Sequence, residues 1–229
     1  SQSLVDIRYT LPSCVPATPL DESVEPLYAA DLREFLSGDG VAGLGEMMNV
    51  PGVLSQDPLV MEKLALTPIR DGHAPMLTGP DLQAYIAAGI QSDHETLTQE
   101  EGEEKLRSGM YLYIREGSTE KNLHDLAPLV QGATAGRCAF CTDDRHVDML
   151  ATEGHIDDCI RNAIHAGMNP ELAYLCATLS PAERFGLTDR GALTPGRRAD
   201  FCVLSSVEDC RVARTFIRGV EIGSPGYHP

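Results

Sequence analysis

The chain has 229 residues, with 18 Lys and Arg against 34 Asp and Glu, and so a formal net charge of −16. Hydrophobic residues make up 42%, enough to bury a core and too many for a disordered chain. The acid excess argues against a nucleic-acid backbone as partner, which needs a basic face, and against an anionic membrane surface.

No apolar run approaches the roughly 18 residues of a membrane span, and no charged-then-apolar leader opens the sequence. Seven cysteines, an odd number without framework spacing, read as reduced thiols of a cytoplasmic protein. Cys138 and Cys141 form a CxxC, but the segment reads as a strand, which points the two thiols to opposite faces and argues against a redox motif.

Short apolar runs alternate with helical patterns. The first run is LVDIRYTLP (4–12), followed by a helical stretch ending near Gly38. VAGLGEMM (41–48) precedes a helical pattern at 57–67, with Pro58 at its start. PIRDGHAP (68–75) leads to a helix opened by Thr78 and Pro80 and stopped by Gly89. IQSDHET (90–96) is followed by a helix that Thr98 and Glu101 would open as a capping box. The acidic run 100–104 reads as a solvated helix face. MYLYIREGS (110–118), a helix at 120–130 and RCAFCTDD (137–144) complete six strand-like runs.

Helical patterns then follow at 154–167, from Asn169-Pro170 and from Ser180-Pro181. A last strand-like run at 199–204 precedes a short basic segment and a Gly/Pro-rich tail. Strands alternating with helices imply parallel βαβ units, in an open doubly wound sheet or a (β/α)₈ barrel.

The run ends favour the barrel. They carry Glu46, His73, His94, Arg115 with Glu116, and Asp143. In a barrel these positions converge on one mouth, where catalytic groups sit. Two imidazoles with two carboxylates suit Zn, Fe or Mn. Each residue alone has a plain reading: a hydrogen-bonded strand-end histidine, a surface acid at Glu46, an N-cap pair at Asp143-Asp144. The repeated position is what points to a site. His124, His155, His165 and His228 lie in helical or tail contexts and read as structural.

PSCVPAT (12–18), GLGEMMNVPGV (43–53), DGHAP (71–75), AAGIQSDHE (87–95), LYIREGS (112–118), CTDDRH (141–146) and GALTPGRRADF (191–201) resemble the bacterial adenine deaminases, a branch of the amidohydrolase superfamily. The resemblance implies a (β/α)₈ barrel beside a small β-sandwich, and hydrolysis of adenine to hypoxanthine and ammonia at a binuclear divalent metal site (Mn, Fe or Zn). Glu46 would be the bridging ligand, His73 and His94 the fifth- and sixth-strand ligands, and Asp143 the eighth-strand ligand. Asp143 would also take a proton from the attacking water and hand it to the leaving amine. Glu95, Arg115, Glu116, Arg145 and His146 would stand at the mouth to read the purine edge, while Arg115 or Arg145 equally suits neutralising the acids near the metals.

The family's HxH pair has no counterpart, since no two histidines here are two residues apart. The expected fold is therefore α/β, a partial TIM-like barrel of roughly strands three to eight. Residues 1–190 would form the incomplete barrel, and 191–229 the start of the β-sandwich segment. By itself the chain is expected to be inactive. Two other readings stand beside this one. One is an amidohydrolase acting on a cyclic amide, although many of those carry a carboxylated Lys where Glu46 stands. The other is a non-catalytic metal-binding or oligomerising remnant. An open parallel edge leaves backbone and apolar surface unpaired, so a homo-oligomer through the open barrel face is expected. A clean monomer in sedimentation would count against it.

Overall fold

A computed structural model describes residues 5–18, 21, 25–38 and 40–223. The start of the first run at Leu4, the tail at 224–229 and His228 lie outside them. The chain divides into two compact units, one running to Leu112 and one from Tyr113.

The first unit is built of parallel βα repeats. Strand β1 (Tyr9–Leu11), helix α1 (Ala29–Leu32), β2 (Val41–Met47), α2 (Val50–Leu54), α3 (Pro58–Leu64) and β3 (Arg70–Gly72) form a three-stranded sheet with its crossovers, in the order β1-β2-β3. Helix α4 (Gly79–Ala87) then leads to β4 (Ser92–Asp93), and α5 (Gln99–Arg107) to β5 (Tyr111–Arg115). Strand β4 lies beside β3, where the Gln91 N–H donates to the Arg70 carbonyl at 3.1 Å. It pairs in parallel with the first residues of β5, Ser92 opposite Tyr111 and Asp93 opposite Leu112.

Local chemistry sets these elements. Asn49 and Asp57 cap α2 and α3 by accepting the backbone N–H of Gly52 and Leu59, each with a proline in the first turn. Gly89 ends the α4 turn at φ +90°, a conformation that suits glycine. Gly72 is needed for closeness: any Cβ there would collide with the Ser92 carbonyl of the neighbouring strand. Leu44, Met47, Leu64, Leu82, Tyr85, Ile90 and Met110 are fully buried between sheet and helices.

The acidic run on α5 departs from its expected role. Glu101 is buried, and Lys105 one turn later is wholly enclosed. The Lys105 ammonium donates to Glu101 Oε1 at 2.5 Å, the Ala74 carbonyl at 2.7 Å, Asp93 Oδ2 at 3.0 Å and Thr96 Oγ1 at 3.2 Å. Thr98 caps α5 through the Glu101 N–H, but the Glu101 carboxylate does not return to Thr98. It accepts instead from the backbone N–H of Met76 and Leu97. Glu104 likewise accepts from the Gly79 N–H. The acids of this face are turned onto the loops beside them, while Glu103 pairs outward with Arg107.

The second unit holds the rest of β5, then α6 (Leu123–Leu126), β6 (Cys138–Cys141), α7 (Val147–Thr152), α8 (Ile156–His165), α9 (Pro170–Ala177) and α10 (Leu179–Arg184). The Glu116 N–H donates to the Cys141 carbonyl where the chain leaves β5. Helix α10 starts one residue before the expected Ser180. That serine is buried, with its hydroxyl on the Ala135 carbonyl. Cys138, Cys159 and Cys176 are buried, and burial pushes each thiol up to about 12. Such thiols are inert.

The basic segment after 204 is also more ordered than its composition suggests. Strands β7 (Phe201–Ser206), β8 (Arg211–Ile217) and β9 (Val220–Glu221) form an antiparallel sheet. Phe201 stacks on Phe216 at 4.5 Å, and Arg214 pairs with Glu221 at 2.8 Å.

Burial alone would raise the Asp93 carboxyl, but the Lys105 charge and the bonds from Thr96, Lys105 and Ala74 outweigh it and hold the group below the ordinary carboxylate range. A depressed carboxyl stabilises the fold above its unfolded pKa of about 3.9, and that contribution is lost as pH falls through the lower folded value. Asp93→Asn leaves Lys105 poorly paired and is expected to cost about 3–5 kcal/mol at pH 7. Urea denaturation checks this. The gap from wild type should shrink below about pH 4, and a gap constant with pH would refute it.

Candidate metal centre

Glu46 stands near the C-terminal end of β2, His73 directly after β3 and His94 directly after β4. Parallel strands bring these ends to one side of the sheet. Glu46 Oε2 lies 2.9 Å from His73 Nδ1 and 3.2 Å from His94 Nε2. Glu95 Oε1 approaches the same two nitrogens at 3.6 and 3.4 Å. The imidazoles meet edge to face at 5.3 Å. One ligand atom each from Glu46, His73 and His94 falls within a 4.8 Å cluster.

The donor set fits a divalent ion. Zn bonds to nitrogen and oxygen are about 2.0–2.2 Å, so neighbouring ligand atoms around a tetrahedral ion stand about 3.3 Å apart. The separations from Glu46 Oε2 to the two imidazole nitrogens, 2.9 and 3.2 Å, lie just below that value. Imidazole with carboxylate suits Zn, Fe and Mn alike. Hydrogen bonds from His73 and His94 pull the Glu46 carboxyl down to about 2. Burial lowers His94, but the Glu46 bond and the charges of Glu46, Asp93 and Glu95 outweigh burial and raise it.

The backbone beneath the ligands is fastened. Ser13 Oγ donates to the Glu46 carbonyl in a short bond, and the buried Lys63 amine donates to the Ser13 carbonyl at 2.8 Å. Asp93 Oδ1 accepts the Ala74 N–H at 2.7 Å, and Asp93 Oδ2 accepts the Glu95 N–H at 3.1 Å. Sequence reasoning passed over Ser13, Lys63, Asp93 and Lys105, and read Glu101 as part of a capping box and a solvated face. The S-D-H-E string was a signal for Asp93, since a short acid directly before a ligand can bond nearby backbone.

The other expected site residues belong to the second unit. Arg115 is buried at the end of β5, and its Nη1 meets Asp143 Oδ2 at 2.5 Å. Its backbone is held by Asn122, which accepts the Arg115 N–H and donates its own N–H to the Arg115 carbonyl. Asp143 follows β6 at φ +52°, a left-handed turn that aspartate tolerates. Arg145 is enclosed. It donates to the Glu116 carbonyl at 2.7 Å and meets Asp158 at 2.8 Å and Glu153 at 2.9 Å. The Glu116 carboxylate, raised chiefly by burial, pairs with Lys121 at 3.5 Å. The His146 N–H donates to Ser118 Oγ. Both arginines are thus engaged with carboxylates.

A family profile matches residues 1–222, and it is that of the Amidohydrolase family. The chain belongs to the amidohydrolase family. It is 59% identical over 228 residues to an adenine deaminase of Methanoregula boonei, covering 98% of this chain and 41% of that protein. It is 60% identical to an adenine deaminase of Methanoculleus marisnigri, covering 98% and 43%. The chain thus spans about two fifths of the length of these relatives.

Among solved structures, N-acetyl-D-glucosamine-6-phosphate deacetylase from Mycobacterium smegmatis matches with a TM-score of 0.60 at 15% identity, over 86% of this chain and 60% of that one. A β-aspartyl dipeptidase from Fervidobacterium islandicum AW-1 matches with a TM-score of 0.60 at 17% identity, over 86% and 61%. These likenesses concern the fold of this amidohydrolase chain. The family generally uses divalent metal, and Glu46, His73 and His94 form a group able to hold one. Among the described residues, no helix is long and apolar enough to cross a membrane.

If these residues hold an ion, the purified amidohydrolase chain should carry Zn, Fe or Mn by elemental analysis. His73→Ala with His94→Ala should remove it. Equal metal in the double variant would refute the centre.

Proposed function

We propose that this chain supplies part of a binuclear site in an enzyme that hydrolyses adenine to hypoxanthine and ammonia. The observation that carries the reading is the Glu46–His73–His94 cluster on consecutive parallel strand ends, in a chain about 60% identical to proteins named adenine deaminase. In this reading residues 1–190 belong to a partial (β/α)₈ barrel, and 191–229 begin a β-sandwich segment.

Adenine C6 is a poor electrophile, and water is a poor nucleophile at neutral pH. A divalent ion, when bound, supplies Lewis acidity and a nucleophile near pH 7. His73 and His94 would hold it through Nδ1 and Nε2, and Glu46, ionised above about pH 2, would contribute the anionic oxygen that bridges two cations. Asp143 is proposed as the proton carrier and a further metal ligand. It would accept a proton from the attacking water and deliver it to the amine, which leaves as ammonia. The Arg115 guanidinium, 2.5 Å from Asp143 Oδ2, holds that carboxylate in one direction.

Glu95 is the best-supported contact for the purine edge, because its carboxylate reaches the cluster that would hold the ion. Arg115, Glu116 and His146 are proposed as further substrate-binding residues. Arg145, enclosed by Asp158 and Glu153, would act by holding that loop in place. The seven thiols, none in a disulfide, support a cytoplasmic setting. Among the described residues β1 pairs on one side only, with β2, and such an edge supports association of copies.

Hypoxanthine formation tests the reading. The chain alone with added Mn, Fe or Zn should give none, because it lacks an HxH pair. Supplied with two strands carrying that pair, it should release hypoxanthine and ammonia in equal amounts, and Asp143→Asn should slow it by about 10²–10⁴-fold. Hydrolysis of a cyclic amide without adenine turnover would overturn the substrate in favour of another amidohydrolase activity.

A further inference from the structure

Strands β2 and β3 are out of step where the ligands begin. Leu44 faces Arg70 and Met47 faces Gly72, so three residues on β2 span two on β3. The extra residue falls at Gly45–Glu46, beside the carboxylate of the cluster. A bulge of this kind breaks the ladder of hydrogen bonds and re-aims a side chain.

A side chain enters just past the bulge, beside the Met47–Gly72 pair where the ladder resumes. The Tyr85 hydroxyl, from α4, donates to the Met47 carbonyl at 2.6 Å and accepts from the His73 N–H at 3.1 Å. One oxygen thus links the residue after Glu46 to the backbone of His73 itself. Tyr85 is fully buried, and burial drives its phenol far above the usual range, so the group stays a neutral donor. It adds a side-chain tie to the backbone pairing of Met47 with Gly72. The Asp93 and Lys105 contacts fasten His73 toward His94 instead, through Ala74.

We propose that Tyr85 is a positioning residue of the metal centre, whose hydroxyl bridges the ends of β2 and β3 just past the bulge and sets the spacing between Glu46 and His73. The inference rests on reading Glu46, His73 and His94 as metal ligands. Phenylalanine would fill the same space while leaving the Met47 carbonyl and the His73 N–H without this partner. The two strand ends would then settle apart, and the ligand spacing with them.

Cobalt(II) titration of the 229-residue chain tests this, read by visible absorption and by competition with a chromophoric chelator. Wild type should bind Co²⁺ in a way that His73→Ala with His94→Ala abolishes. Tyr85→Phe should bind about 10- to 100-fold more weakly, the usual cost of losing a partner behind the ligands, with a shifted absorption band. Leu82→Ala, an apolar truncation at a fully buried site on the same helix, should melt at lower temperature yet bind Co²⁺ like wild type once folded. Wild-type affinity and spectrum in Tyr85→Phe would overturn the inference alone, and so would an equal loss in folded Leu82→Ala. If wild type shows no histidine-dependent binding, the metal centre itself falls, and the role of Tyr85 with it.

Discussion

The first unit depends on keeping one ammonium group dry. Lys105 has no exposed surface, and removing such a charge from water costs several kcal/mol unless it is paired and hydrogen-bonded. It is met by two carboxylates, a carbonyl and a hydroxyl. Those carboxylates are then not free to turn. Asp93 holds the backbone of Ala74 and Glu95, and Glu101 holds that of Met76 and Leu97. The loops after β3 and β4 are therefore anchored to a single charge, and those loops carry His73, His94 and Glu95. Metal ligands must be held to fractions of an ångström, and loops seldom achieve that without such support.

How much of this was legible in sequence follows from the range of the forces. The parallel βα order was readable because strand and helix signals are local: Pro58 after Asp57, Asn169 before Pro170, Gly89 after an amphipathic turn. The convergence of Glu46, His73 and His94 was readable because their placement at strand ends repeats. The buried role of Glu101 was not, because four acids in five residues look solvated until the fold supplies a buried lysine and two loops of free N–H groups. The hairpin of β8 and β9 was hidden by three arginines, whose charge masked an alternation that Arg214 completes by pairing with Glu221. Helix α7 gave no signal, since Val147 and Leu150 both face solvent and no apolar face marks it. The bulge in β2 is a matter of register between strands, which no single segment encodes.

The second unit arranges its charges differently. Arg115 and Arg145 are both enclosed, and each meets a carboxylate within 3 Å. Asp143 follows β6 closely, so its direction is set by the strand, by its left-handed turn and by the guanidinium beside it. An acid fixed in this way has little freedom to choose partners.

The sulfur atoms of that unit have a further consequence. Cys138, Cys159 and Cys176 sit in the core as small apolar groups, with their thiols far too weakly acidic to react. Oxidants act on the thiolate, so in the folded chain these three sulfurs are shielded by the packing around them. Any opening that wets these positions removes the shield, and a sulfinic or sulfonic group formed meanwhile could not be repacked without burying a charge. Momentary unfolding would become permanent damage, and the lifetime of the protein under oxidation would be set by how often this half of the chain opens.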